Sequence, residues 1–229
     1  MNSKLELFRP FKTTAITQGF AKKANLSYER DGLLGHTSVD YGAPYGTPVP
    51  CCADESYCFS TMNKDNPDPM RYRGVYTIVE TETGVYEVSY GHFSDITAEV
   101  GKTYKAGDII GRIGNTGTVF AWNHEVTRAE KEAGSQAGAH LHGPQVRPVK
   151  KVRSRNRNQV YLYDQNGYLK IDGYYFEVLD YNNGLNGCVD PELFTTNILA
   201  INAQSVLKNL STQVSLLSRV VELLMKLRK

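Results

Sequence analysis

Two short segments about a hundred positions apart constrain this chain more than any other feature: Gly35-His36-Thr37-Ser38-Val39-Asp40 and Gly138-Ala139-His140-Leu141-His142-Gly143. Side chains of an extended strand alternate between faces, so His140 and His142 point one way while Leu141 points into a core. His36 and Asp40, four positions apart, share a face in an extended or a helical backbone and leave Val39 to pack behind. Imidazole nitrogen and carboxylate oxygen are donors that suit zinc, and three of them with one open position make a catalytic rather than a structural site. The two segments offer four donors. That is one more than such a site needs, which leaves one histidine free for chemistry.

The intervening chain is written in strands and turns. Ile16 to Phe20 alternates and predicts a first strand, and the polar Ala21 to Leu34 predicts a loop near the site. Pro44 and Gly46 predict a turn, Thr47 to Pro50 an edge strand, Glu55 to Met62 a strand, and Asn63 to Arg73 a loop. Gly74 to Glu80 and Gly84 to Tyr90 flank Thr81-Glu82-Thr83 as a hairpin whose second arm delivers His92 at its end. Ile109 to Gly114 predicts a further strand, and the polar insertion Ala121 to Ala137 a short helix. Val146 to Asn158 carries Arg147, Lys150, Lys151, Arg153, Arg155 and Arg157 and predicts a solvated hairpin or loop, with contact to an anionic surface as the alternative. Gln159 to Tyr163, Tyr168 to Ile171 and Tyr174 to Leu179 resume strand character.

A chain of 229 residues can bury a full core and carry a smaller appendage. Its formal charge of +2 gives no reason to expect nucleic acid or an acidic membrane as the main partner. No stretch is long and apolar enough to span a bilayer, and Met1 to Leu7 lacks the apolar run of a signal peptide. A substrate outside the cytoplasm would therefore require delivery by other machinery. Cys51, Cys52, Cys58 and Cys188 match no zinc-finger spacing and are expected as buried thiols, with a bridge from Cys51 or Cys52 to Cys58 as the alternative.

Near the end the period changes. Ala203, Leu207, Leu210, Val214, Leu217, Val221 and Leu224 follow a heptad, and Val206, Val220 and Leu227 widen the stripe. Residues 195–229 are thus expected as an amphipathic, coiled-coil-like helix for self-association or docking.

Taken together, these pieces resemble the lysostaphin-type, or LytM-like, zinc endopeptidases of bacterial peptidoglycan. The resemblance rests on Ile16 to Phe20, Gly35 to Val49, Tyr90-Gly91-His92-Phe93-Ser94, Ile113 to Gly117, His140-Leu141-His142 and Val189-Asp190-Pro191, in the family's order. It implies a mainly β, antiparallel, sandwich-like domain over residues 1–194, with insertions at 119–137 and 144–175. It also implies one zinc ion held by His36, Asp40 and His142, with His92 and His140 as unligated catalytic histidines and water as the nucleophile. Peptidoglycan is the implied substrate. With the heptad tail, this leads to the expectation of a virion- or tail-associated lysin acting at the cell wall or in the periplasm, joined to itself or to virion proteins through residues 197–229. The rival is a catalytically inactive wall-binding or structural module on the same fold. Such versions lose a ligand, and here none is missing.

Two departures from the family stand out. Gly143-Pro144-Gln145 follows His142 where an aromatic and a glutamate are usual. The loop before His140 is lengthened by Val119 to Ala133, which reshapes one wall of the cleft; His124 within it reads as a surface residue.

Overall fold

The computed structural model describes residues 2–11, 15–23, 27–122 and 124–196. A compact unit spans Met1–Thr195. The helix expected over residues 195–229 lies outside the described residues from 197 onward, as does the oligomer or virion contact assigned to it.

The long strand His140–Val152 organises the domain. In the main antiparallel sheet it lies between Tyr174–Val178 and Val85–Gly91, and the sheet continues through Gly74–Glu80 and Ser56–Met62 to Thr103–Tyr104. Its first residues also pair with Asp40–Gly42, which in turn pairs with Ile16–Gln18. A second sheet of three strands sets Pro48–Pro50 at its edge beside Ile109–Ile113 and Phe93–Ile96. An edge is where prolines can sit, since they donate nothing to a ladder.

Alternation puts side chains of the main sheet into two cores. Val75, Val79, Val88, Tyr90, Leu141 and Val146 join Val49, Phe93 and Ile110 of the smaller sheet in one cluster. Ile78, Val149, Phe176 and Val178 pack on the opposite face against Leu162 and Leu169. Burying a side chain of this kind stabilises by roughly 1.5–3 kcal/mol. Both faces of the central strands are therefore dry.

Several expectations need correction. The basic stretch is no loop at its start: residues 146–152 continue the long strand, because Val146 and Val149 are buried. Two of its cations are not simply solvated, since Arg147 pairs with Glu87 on the adjacent strand and Lys151 with Glu80, while Lys150, Arg153, Arg155 and Arg157 are exposed as expected. The chain leaves the sheet only after Val152. Gln159 to Tyr163 is not a strand but an isolated bridge from Tyr161 to Glu177, followed by the small hairpin Tyr163–Asp164 and Gly167–Tyr168. The loop over 21–34 contains a four-residue helix, Ser27–Arg30. All four cysteines are buried and free.

The insertion before His140 forms the hairpin Phe120–Ala121 with His124–Glu125 and the helix Arg128–Glu132. Thr127 and Glu130 close a capping box at the start of that helix. Lys131 is buried beneath it and donates to the carbonyls of Asn115 (2.8 Å) and Gly117, tying the insertion to the loop beside the site.

Candidate metal centre and active site

Register brings the donors together. His142 stands opposite Asp40 on one side and opposite Gly91 on the other, so residues far apart in sequence become cross-strand neighbours. His36 lies outside any strand or helix, between bends at Leu34-Gly35 and Thr37-Ser38, and reaches the same point. Leu141 is fully buried between the two histidines, as alternation requires. Gly91 has no room for a side chain: a Cβ there would lie 1.9 Å from the Tyr72 hydroxyl. The Tyr72 ring instead meets His92 edge-on at 5.1 Å. His92 itself has φ of 64°, a left-handed conformation that costs a non-glycine residue free energy and ends the strand by turning the ring inward.

His36 Nε2, Asp40 Oδ1 and His142 Nδ1 form a triangle with edges of 3.0, 3.1 and 3.1 Å. Hydrogen bonds alone serve this triangle poorly. If both nitrogens donate to Asp40, two N–H groups collide; if one does not, its lone pair faces the other ring. One cation accepts all three lone pairs at once. The edges are close to the ~3.3 Å edge of a tetrahedron with bonds of about 2.0–2.1 Å, so the set fits zinc. Among the described residues these three make a group of His, Cys, Asp or Glu able to hold a metal ion.

His140 and His92 flank the triangle. His140 Nε2 lies 3.6 Å from Asp40 Oδ2, and its Nδ1–H donates to the Gly138 carbonyl at 2.8 Å. His92 Nδ1–H donates to the Thr116 carbonyl at 2.7 Å, and the two rings are 4.6 Å apart. Because a carbonyl can only accept, each ring in its neutral form carries a bare Nε2. Burial, with the neighbouring His140 and His142, holds His92 well below the ordinary histidine value. For Asp40, burial alone would raise the carboxyl, but His140 and the bonds from His142 and His36 outweigh it and leave it well below the usual range. His142 is raised: burial works against protonation, and Asp40 and Gln145 overcome it.

These side chains floor an open cleft of about 900 Å³, enough for a stretch of extended chain. Phe120, Trp122 and His124 of the insertion form part of its wall. His124 is half exposed and bonded to Glu130, so it is a surface residue, but one facing the cleft. Tyr28 was not singled out by the sequence, which marked only a polar loop. Its hydroxyl accepts from Gln18, lines the cleft, and is pushed up to about 12 by burial and by Asp40. No spacing relative to the histidines could have found it.

Residues 34–146 match the model of peptidase family M23. The matched segment is thus similar to the M23 peptidases. It contains His36, Asp40, His92, His140 and His142. None of the curated proteins matches the chain. Among solved structures, the chain is similar to the catalytic domain of lysostaphin, an antimicrobial peptidase from Staphylococcus simulans: 21% identity over 79% of this chain and 91% of that one, TM-score 0.41. LytU gives 23% identity over 80% and 86%, TM-score 0.43. The catalytic domain of EnpA, a prophage-encoded M23 protein from Enterococcus faecalis, gives 24% over 61% and 83%, TM-score 0.37.

Proposed function

We propose that this chain is a zinc-dependent endopeptidase that hydrolyses peptide bonds of bacterial peptidoglycan. The observation that carries the reading is the triangle of His36, Asp40 and His142 within the segment that matches the M23 model, open on one side to a cleft and flanked by two imidazole nitrogens. Bound there, zinc would supply a Lewis acid that lowers the pKa of a coordinated water towards ~7 and polarises the scissile carbonyl.

The protein's own groups divide the remaining work. His140 Nε2 can take the proton of the attacking water, and the imidazolium so formed meets the second oxygen of Asp40. His92 Nε2 is likewise a base at rest, so it donates to an oxyanion or a leaving amine only after receiving a proton. Tyr28, whose ring lies 6.1 Å from that of His36, keeps its phenolic proton and can donate it into the cleft. The insertion wall is the part that selects among peptides, through the exposed indole of Trp122 and the ring of Phe120.

We further propose that residues 197–229 mount the enzyme on an assembly, either copies of itself or the virion or tail of a phage, delivering it to the wall. The heptad alone supports this. Size measurement with and without residues 197–229 tests it, and a monomer in both cases defeats it.

The enzymatic test is digestion of purified peptidoglycan by the zinc-loaded protein, by the chelator-treated protein, and by treated protein resupplied with zinc. Activity in the first and third alone is expected, with mass spectrometry of the fragments naming the bond. Zinc retained without any cleavage sinks the hydrolase reading. Trp122→Ala is expected to raise KM severalfold and leave kcat unchanged, and binding should alter the emission of the chain's single tryptophan.

A further inference from the structure

The two imidazoles of the donor triangle are held in different ways. Each turns one nitrogen to the shared point, and the fate of the other nitrogen differs. His36 Nδ1 is buried without a hydrogen-bond partner, and its ring is fixed by enclosure, at 3% exposure. His142 is more open, and its far nitrogen, Nε2, lies 3.2 Å from Gln145 Oε1. That same oxygen accepts the Thr37 hydroxyl at 2.9 Å.

Gln145 reaches this place through the departure already noted in the sequence. The pairing of the long strand with Val85–Gly91 slips between His142 and Gln145. Gly143 makes the slip possible: its φ is 131°, and a Cβ there would stand 2.7 Å from the Ser89 carbonyl oxygen. Pro144 has no N–H to leave stranded in the irregular stretch. The displaced register turns Gln145 back towards the ring three residues before it. Thr37 arrives from the other metal segment, directly after His36.

We infer that Gln145 and Thr37 form a positioning pair that fixes the tautomer and orientation of His142 for metal. This rests on the zinc reading above and deepens it. If Nδ1 gives its lone pair to a cation, Nε2 must carry the proton, and that proton needs an acceptor. An amide oxygen serves at Gln145, and Thr37 holds the amide so that oxygen, not NH2, faces the ring. The segment carrying His36 thereby orients the ligand carried by the other.

The test measures zinc affinity of the full chain by competition with a coloured chelator, beside the visible spectrum of the cobalt-loaded protein. Gln145→Leu is expected to weaken zinc about 10–100-fold and to shift the cobalt bands. Gln145→Glu keeps an acceptor oxygen and should restore both. Thr37→Val, which removes one neutral hydrogen bond, should weaken zinc about two- to tenfold, and it decides the matter if Gln145→Leu fails to fold. Wild-type affinity in Gln145→Leu, or equal weakening in Gln145→Glu, overturns the inference. Wild-type protein that binds no zinc overturns the zinc reading itself, so the two failures are distinct.

Discussion

The two ends of the His140–Val152 strand treat polar side chains in opposite ways. At the far end Arg147 and Lys151 are each closed by an opposite charge. Arg147 faces Glu87 in register and bonds it at 2.7 Å, and Lys151 grips both oxygens of Glu80 at 2.9 Å. At the near end, His140 and His142 converge with His36 on the single carboxylate of Asp40. One acid cannot satisfy three imidazoles, and lone pairs remain. The lesson is that complete pairing marks a structural region, whereas a deficit of positive charge among close donors marks a place that takes a cation.

This contrast breaks first if the near end can be dismantled without loss. Asp40→Asn and His142→Ala are expected to abolish zinc binding, read by elemental analysis, and to reduce peptidoglycan hydrolysis to background. Next come the flanking histidines. His92→Ala and His140→Ala should lower kcat by about 10²–10⁴-fold with zinc content unchanged, the scale of general acid–base catalysis. Loss of zinc in either would make that histidine a ligand.

The far end should respond in stability instead. Arg147→Leu leaves a buried carboxylate unpaired and should cost about 3–5 kcal/mol in denaturant unfolding, with zinc content of the folded protein intact. The pH dependence has a definite sign. Burial already holds Glu87 above its ordinary 4.5, against the opposing pull of Arg147. A carboxyl raised in the folded state contributes stability that is fully present below its unfolded pKa and is lost as pH rises through the folded one. Without Arg147 the folded value climbs further, so the deficit of the variant should shrink on acidification. A deficit independent of pH would argue against a buried charge. The smallest effect belongs to Lys151→Met, a part-exposed pair whose loss should cost less than about 1 kcal/mol and leave hydrolysis unchanged.

Much of the near end was legible beforehand, since period-two alternation and the spacing of His36 and Asp40 are local facts of the chain. Turn residues and apolar arms also placed the hairpin of 74–80 with 85–91, prolines the edge strand at 48–50, and polar composition the short helix of the insertion. The far end was misread. Of the six cations between 147 and 157, Lys150, Arg153, Arg155 and Arg157 are exposed as expected, but Arg147 and Lys151 look solvated only when considered alone, because their partners Glu87 and Glu80 lie 60 and 71 positions away. Tyr28 and Gln145 escaped for the same reason: each matters through a contact made across the fold.

What the sequence determined by itself was the donor chemistry, the faces on which donors lie and the β character of the domain, all properties of neighbouring residues. Only the tertiary structure decided which atoms meet. Sheet register set His142 against both Asp40 and Gly91, and the slip at Gly143 brought Gln145 behind the ring. Register is fixed by burying one face of every strand at once, so no single segment encodes it.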